Sequence, residues 1–212
     1  MNYHEELVSA LLVDPGLHAR FVNTLSMLEY LGARKILKSQ RADSISLEIL
    51  RHAAEEIRHA QILKSLALRW SGGELRGYRE EELLCGRQAR EYFHRLEEEC
   101  ALMHSRTEPT QVYTLTTLLV EKRAVRFYPV YALALKKAGI PNALGAILND
   151  ERNHLEEMQR EAAALGCGPV ELARLRAREE SLFRDLLFAL RDEIKLPGGW
   201  VADRVVYGNA IT

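Results

Sequence analysis

The stretch HAAEEIRHAQ, residues 52–61, poses the question on which the fold turns. At helical spacing His52, Glu56 and His59 share a face with Ile49, Ala53, Ala60 and Leu63. An amphipathic helix buries such a face, yet this one carries a carboxylate and two imidazoles among its apolar side chains. No Asp, Glu, Lys or Arg lies three, four or seven positions from Glu56 to compensate it.

The same test sorts the other glutamates. The chain holds three Glu-x-x-His triplets, Glu56/His59, Glu91/His94 and Glu151/His154. Glu151 is flanked on its face by Leu144, Ile147, Leu148, His154, Leu155 and Met158, again without a charged neighbour. Glu91 has Arg87, Arg95 and Glu98 beside it, which is a face for water. Two glutamates without a histidine partner also sit in apolar stripes. Glu29 lies among Val22, Leu25, Ser26, Gly32, Ala33 and Ile36, and Glu121 among Thr114, Thr117, Leu118, Ala124, Val125 and Tyr128. Glu48 and Glu156, with arginines beside them, read as surface residues. Burying one unpaired carboxylate costs several kcal/mol, so four on four helices require compensation. No lysine or arginine shares those stripes, and metal cations would supply it.

Sparse proline and glycine leave long stretches of helical period and little strand signal. The expected helices run from about Leu17 to Gln40, from a cap near Asp43, Ser44 and Ser46 to Trp70, and from Glu80 to Arg106. Further helices run from Thr110 to Ala138 with Pro129 inside, up to about Leu165, and from Val170 to Ile194. Glu29 to Glu56 and Glu121 to Glu151 are each separated by a half-helix out, a turn and a half-helix back. Two antiparallel hairpins would therefore bring each pair to one level of an all-α bundle. The charged helix at 80–106 supplies a long crossover between them. Residues 1–195 read as one domain, with 196–212 as an irregular tail.

Glu on one helix, ExxH on the next, a crossover, Glu, then ExxH resembles the ferritin-like di-iron carboxylate proteins, over about residues 17 to 165. These include rubrerythrins, the small subunit of ribonucleotide reductase, multicomponent monooxygenase hydroxylases and aldehyde oxygenases. The resemblance implies a ferritin-like four-helix bundle with an extra helix in the crossover and an additional C-terminal helix. It implies that Glu56 and Glu151 bridge two metals, that Glu29 and Glu121 are terminal ligands, and that His59 and His154 each bind one metal. Two iron ions are the expected cofactor, with Fe/Mn or Mn as alternatives for so oxygen-rich a set. Glu55 and Asp150, each preceding a bridging glutamate, would hydrogen-bond the far nitrogen of a ligand histidine, unless they are solvated surface charges. His52 reads either as an extra ligand or second-shell donor or as a hydrogen-bonded core histidine, the latter being the simpler expectation.

For function, the resemblance implies an oxidoreductase that activates O2 or peroxide with an external electron donor, first as an oxidase or oxygenase on a small organic substrate. Gly32, Ala33, Thr117 and Val125 would leave room for that substrate beside the metals, or else serve close helix packing. Tyr30 and Tyr128 are candidate redox aromatics or core packing. The alternatives are a ferroxidase or rubrerythrin-like peroxidase, and a tRNA-modifying hydroxylase with residues 33–41 and 121–126 facing RNA. The near-neutral net charge of −1 makes nucleic acid an unexpected partner. An apolar fraction of 47% with 28% charged residues suits a globular protein. Cys85, Cys100 and Cys167 form no CxxC pair, which argues against a zinc or rubredoxin-type site and for a reduced, cytoplasmic setting. No signal or membrane span is expected, and the last helix could serve as a homodimer surface or cover the bundle end.

Overall fold

A computed structural model describes residues 3–104, 108–141 and 144–195. Within them the chain is all-helical: α1 (Tyr3–Leu11), α2 (Pro15–Ser39), α3 (Leu47–Trp70), α4 (Gly86–His104), α5 (Pro109–Lys137), α6 (Leu144–Ala164) and α7 (Pro169–Glu193). The expected tail at 196–212 lies outside the described residues.

Local chemistry sets the helix ends. The Asp14 carboxylate accepts from the backbone amides of Gly16 and Leu17, and Pro15 opens α2 where its missing N–H costs nothing. The cap of α3 is Ser46, which accepts from the amide of Ile49; Asp43 instead pairs with Arg41 within the linker. Helix α5 runs through Pro129 and stops at Gly139, whose positive φ of 71° suits glycine.

Helices α2 and α3 form one antiparallel hairpin. Midway along it Ser26 Oγ donates to the carbonyl of Ala60, and nearer the linker the Gly32 backbone faces the Glu56 carboxylate. Helices α5 and α6 form the other, held in register by Thr114 Oγ1 donating to Glu161. The hairpins meet through α2 against α5 and α3 against α6.

Two parts of the chain differ from the sequence expectation. Residues 3–11 form a helix where the sequence pattern marks none. At nine residues it is too short to be stable alone, and it survives by burying Leu7, Val8 and Leu11, with α5 as its main partner. The third expected helix begins at Gly86 rather than Glu80. Residues 80–82 form a single 3-10 turn in a loop fastened to α2, where Arg20 donates to the carbonyl of Leu83, Asn23 to those of Gly77 and Glu82, and Thr24 to that of Leu84. Inside this loop the Glu82 carboxylate accepts from the amides of Gly77 and Arg79, which hold its pKa down to about 2.

Helices α4 and α7 pack on each other beside the hairpins. Arg123 on α5 makes a bidentate ion pair with Glu179 on α7, at 2.8 and 2.6 Å, and Tyr92 of α4 donates to the same carboxylate. All three side chains are buried. Arg123 is therefore a core clasp, so the segment 121–126 is not a wholly solvated face; of its basic residues Arg126 is exposed and Lys122 half-buried. The apolar face of α7 (Leu175, Leu182, Leu186, Leu187, Leu190) is consumed inside the chain. Among the described residues no helix is long and apolar enough to cross a membrane.

Candidate metal centre

The bundle brings all six expected ligands together and adds a seventh. Two groups of donors form, each with ligand atoms within 4.8 Å of one another: Glu29, Glu56, His59 and Glu151, and His52, Glu56, Glu121 and His154. Glu56 belongs to both. The fourteen carboxylate and imidazole heteroatoms include six that are fully buried without a hydrogen-bond partner: His52 Nε2, Glu56 Oε1, His59 Nδ1, Glu121 Oε2, Glu151 Oε1 and His154 Nδ1. Buried polar atoms are paired with few exceptions, and these six converge on one space, one from each of six residues. Such a donor set fits divalent cations, and each group alone offers four ligands.

The geometry also fixes which imidazole nitrogen faces inward. His59 Nδ1 lies 3.1 Å from Glu151 and 3.8 Å from Glu56, and His154 Nδ1 lies 3.4 Å from Glu56. Their outer nitrogens are taken: His59 Nε2 donates to Asp150 at 3.0 Å and His154 Nε2 to Glu55 at 2.7 Å. Each acid reaches across to the histidine of the opposite hairpin, so Glu55 and Asp150 are not free surface charges. Holding the proton on Nε2 leaves the Nδ1 lone pair pointing at the carboxylates. Arg58 pairs with Asp150 from outside.

His52 is turned the other way. Its Nδ1 is 3.1 Å from the Tyr113 hydroxyl, and its Nε2 is 3.5 Å from Glu121 and 3.7 Å from Glu56. The core hydrogen bond and the ligand position, read as alternatives in the sequence, are both present. The partner that orients the ring, Tyr113, lies on another helix, and no spacing in the sequence links them.

Without cations this cluster is electrostatically frustrated. Burial, then the charges of Glu56 and Glu151, push Glu29 well above the usual carboxylate range. Burial and the neighbouring Glu151 raise Glu56 to about 8. Glu121 and Glu151 are likewise raised, mainly by burial. Burial alone would lower His59, but the Glu151 carboxylate beside it and the charges of Glu29 and Glu56 outweigh this and raise it to about 10. Burial lowers His52 to about 3. The cluster must take up protons or cations to be stable.

Tyr128 donates a hydrogen bond to Glu29 Oε1 from within the core, whereas Tyr30 is exposed on the outer side of α2 against Tyr78 and Arg34. Of the two candidate aromatics, only Tyr128 touches the site. Glu91 and His94 of the third triplet are exposed on α4.

A cavity of about 840 Å³ opens onto Glu29, Glu56, Glu121 and Glu151. Gly32 and Thr117 line it, as expected of a substrate space, but Ala33 and Val125 do not, and Ala124 does instead. Gly32 has a second duty: a Cβ there would stand 3.1 Å from Glu56 Oε2, so the glycine lets that carboxylate lie against α2. Neither family models nor curated proteins nor solved structures yield a match to this chain.

Proposed function

We propose that this chain is a ferritin-like di-metal carboxylate oxidoreductase that uses O2 or peroxide, with electrons from an external donor, to oxidise a small organic substrate. The observation that carries this reading is the pair of four-donor groups sharing Glu56, with six unpartnered buried donor atoms facing one another. Two hairpins carrying Glu then ExxH, joined by a crossover with its own helix, support the ferritin-like assignment. Two iron ions suit the donors best, with Fe/Mn or Mn as alternatives.

When bound, such a metal pair supplies redox chemistry toward O2 or peroxide. The protein's own contribution follows from its side chains. Asp150 and Glu55 fix the tautomers of His59 and His154 and raise their basicity. Tyr113 orients His52, and Tyr128 holds one oxygen of Glu29, leaving the other to turn toward the centre. The cavity walls beside the carboxylates are largely apolar, which lowers the local dielectric and strengthens each electrostatic contact there. That cavity favours an organic substrate over ferroxidase or peroxidase activity, which need only admit ions or peroxide.

Metal analysis of the purified chain, followed by anaerobic Fe(II) loading and mixing with O2, tests the reading. Wild type is expected to hold two metals per chain and to develop metal-centred visible absorption on oxidation. Glu121→Ala should lower metal content and Glu91→Ala should not. Equal loss from both variants, or a wild-type protein that binds no transition metal, overturns the proposal.

A further inference from the structure

The cavity is long as well as apolar. On α2 it is lined from Phe21 to Ser39, eighteen residues along one helix and therefore about 27 Å at the helical rise. A volume of about 840 Å³ spread over that length is a tube rather than a chamber, within the range of small-molecule sites. Its ends differ. The inner end closes on Leu7 of α1 and on Leu186, Leu187 and Leu190 of α7. The outer end lies at the last turns of α2, where Arg34, Lys35 and Lys38 line it. Lys35 is ion-paired with Glu97 of α4, whereas Arg34 and Lys38 are exposed and have no carboxylate partner among the described residues. The metal-ligand carboxylates meet the tube partway along.

We infer that the cavity binds a single unbranched aliphatic chain bearing a terminal carboxylate, with the carboxylate at Arg34, Lys35 and Lys38 and the tail toward Leu186–Leu190. A narrow apolar tube accepts an extended alkyl chain and rejects a wide ring system; Arg123 also lines it but is held by Glu179, so the cations without a carboxylate partner stand at one mouth, where they select an anionic head and set the direction of entry. Glu29 lies six residues from Lys35 and nine from Lys38, about 9 to 14 Å deeper along the helix. The part of the bound chain that faces the metal ligands is thus its methylene run and not its head group. That last point rests on the di-metal reading; the binding of the chain rests on the cavity alone.

The test uses the full-length metal-loaded protein and a fluorescent polyene fatty acid, displaced by palmitate or by hexadecanol. Palmitate should displace the probe, and hexadecanol should need at least about ten-fold higher concentration, since it lacks the charge-assisted contact. Lys38→Glu should weaken palmitate by a similar factor and leave hexadecanol unchanged. Ala124→Phe and, separately, Thr117→Phe should block the tube and abolish probe binding, with helical content and metal content as in wild type. Failure of palmitate to bind a protein that retains its metals overturns this inference and leaves the di-metal proposal standing. Equal affinity for acid and alcohol overturns the head-group assignment. Palmitate binding by a chain that takes up no metal supports the cavity inference while ending the di-metal reading.

Discussion

Helices α3 and α6 carry the same sequence frame, and aligning HAAEEIRH (residues 52–59) with ILNDERNH (147–154) shows where they part. Outer acid, buried glutamate and buried histidine coincide: Glu55 with Asp150, Glu56 with Glu151, His59 with His154. His52, however, faces Ile147, and Arg58 faces Asn153. The backbone plan is nearly symmetric and the donors are not. One group has three carboxylates and one imidazole, the other two carboxylates and two imidazoles. Symmetry of the hairpins explains why two donor groups lie side by side. The substitution of imidazole for an aliphatic side chain at a single position makes them chemically unequal, with the nitrogen-richer position favouring the later first-row metals.

The largest expected effect distinguishes the shared donor from the private one. Glu56→Gln should remove both metals, because both groups use Glu56. His52→Ile, which copies the second hairpin onto the first, should empty only the nitrogen-rich position and halve the metal content. Metal analysis after gel filtration reads both. A His52→Ile protein that still holds two metals per chain would mean that the seventh donor is packing alone and that the two positions are equivalent.

A smaller effect concerns the crossed acids. Loss of an outer hydrogen bond to a ligand histidine commonly costs about 10–100-fold in metal affinity. Asp150 shares its charge between His59 and Arg58, whereas Glu55 serves His154 without an arginine among its ion pairs. Glu55→Gln should therefore weaken metal binding more than Asp150→Asn, measured by competition with a chelator. Arg58→Asn, matching Asn153, removes a pair whose arginine is half exposed, and surface pairs contribute only about 0–1 kcal/mol. Its affinity should stay within a few-fold of wild type. The reverse order of Glu55 and Asp150 would show that the arginine strengthens its clasp instead of diluting it.

What the sequence discloses follows from period. Glu29, Glu56, Glu121 and Glu151 stand out because a helix face averages its neighbours at known offsets, and one charge in an apolar stripe is conspicuous. The buried Glu82 escapes that test, since backbone amides in a loop satisfy it and loops have no period. Arg123 and Glu179 escape it too. Each looks like a solvated charge on its own helix, and only the packing of α7 beside α5 brings them together. Helix α1 also escapes that test, because so short a segment owes its stability to partners and not to its own residues. His52 was visible, but its role depends on Tyr113, whose approach is tertiary.

The smallest effect is a slope, and it contrasts two histidines of one helix. In the metal-free folded chain Glu56 keeps its proton to about pH 8, against an ordinary 4.5, and His59 to about 10, against 6.5. The folded state then binds more protons than the unfolded one, so stability falls as pH rises. The contribution of Glu56 is complete below 4.5 and lost through about 8; that of His59 is complete below 6.5 and lost through about 10. His52, neutral down to about 3, acts oppositely: it withdraws stability as pH drops below 6.5, and His4 and His18, lowered to about 4 by burial, do the same. Between pH 6.5 and 8 those three are neutral in the folded state and at most half charged in the unfolded one, so they contribute the smaller change and the glutamates and His59 set the sign. Chelator-stripped protein should therefore melt at lower temperature at pH 8 than at 6.5. Metal-loaded protein should lose this slope or reverse it, because metal binding requires the deprotonated donors. Parallel slopes with and without metal would mean that the carboxylate cluster titrates elsewhere, and that the asymmetry between His52 and His59 does not reach the stability of the bundle.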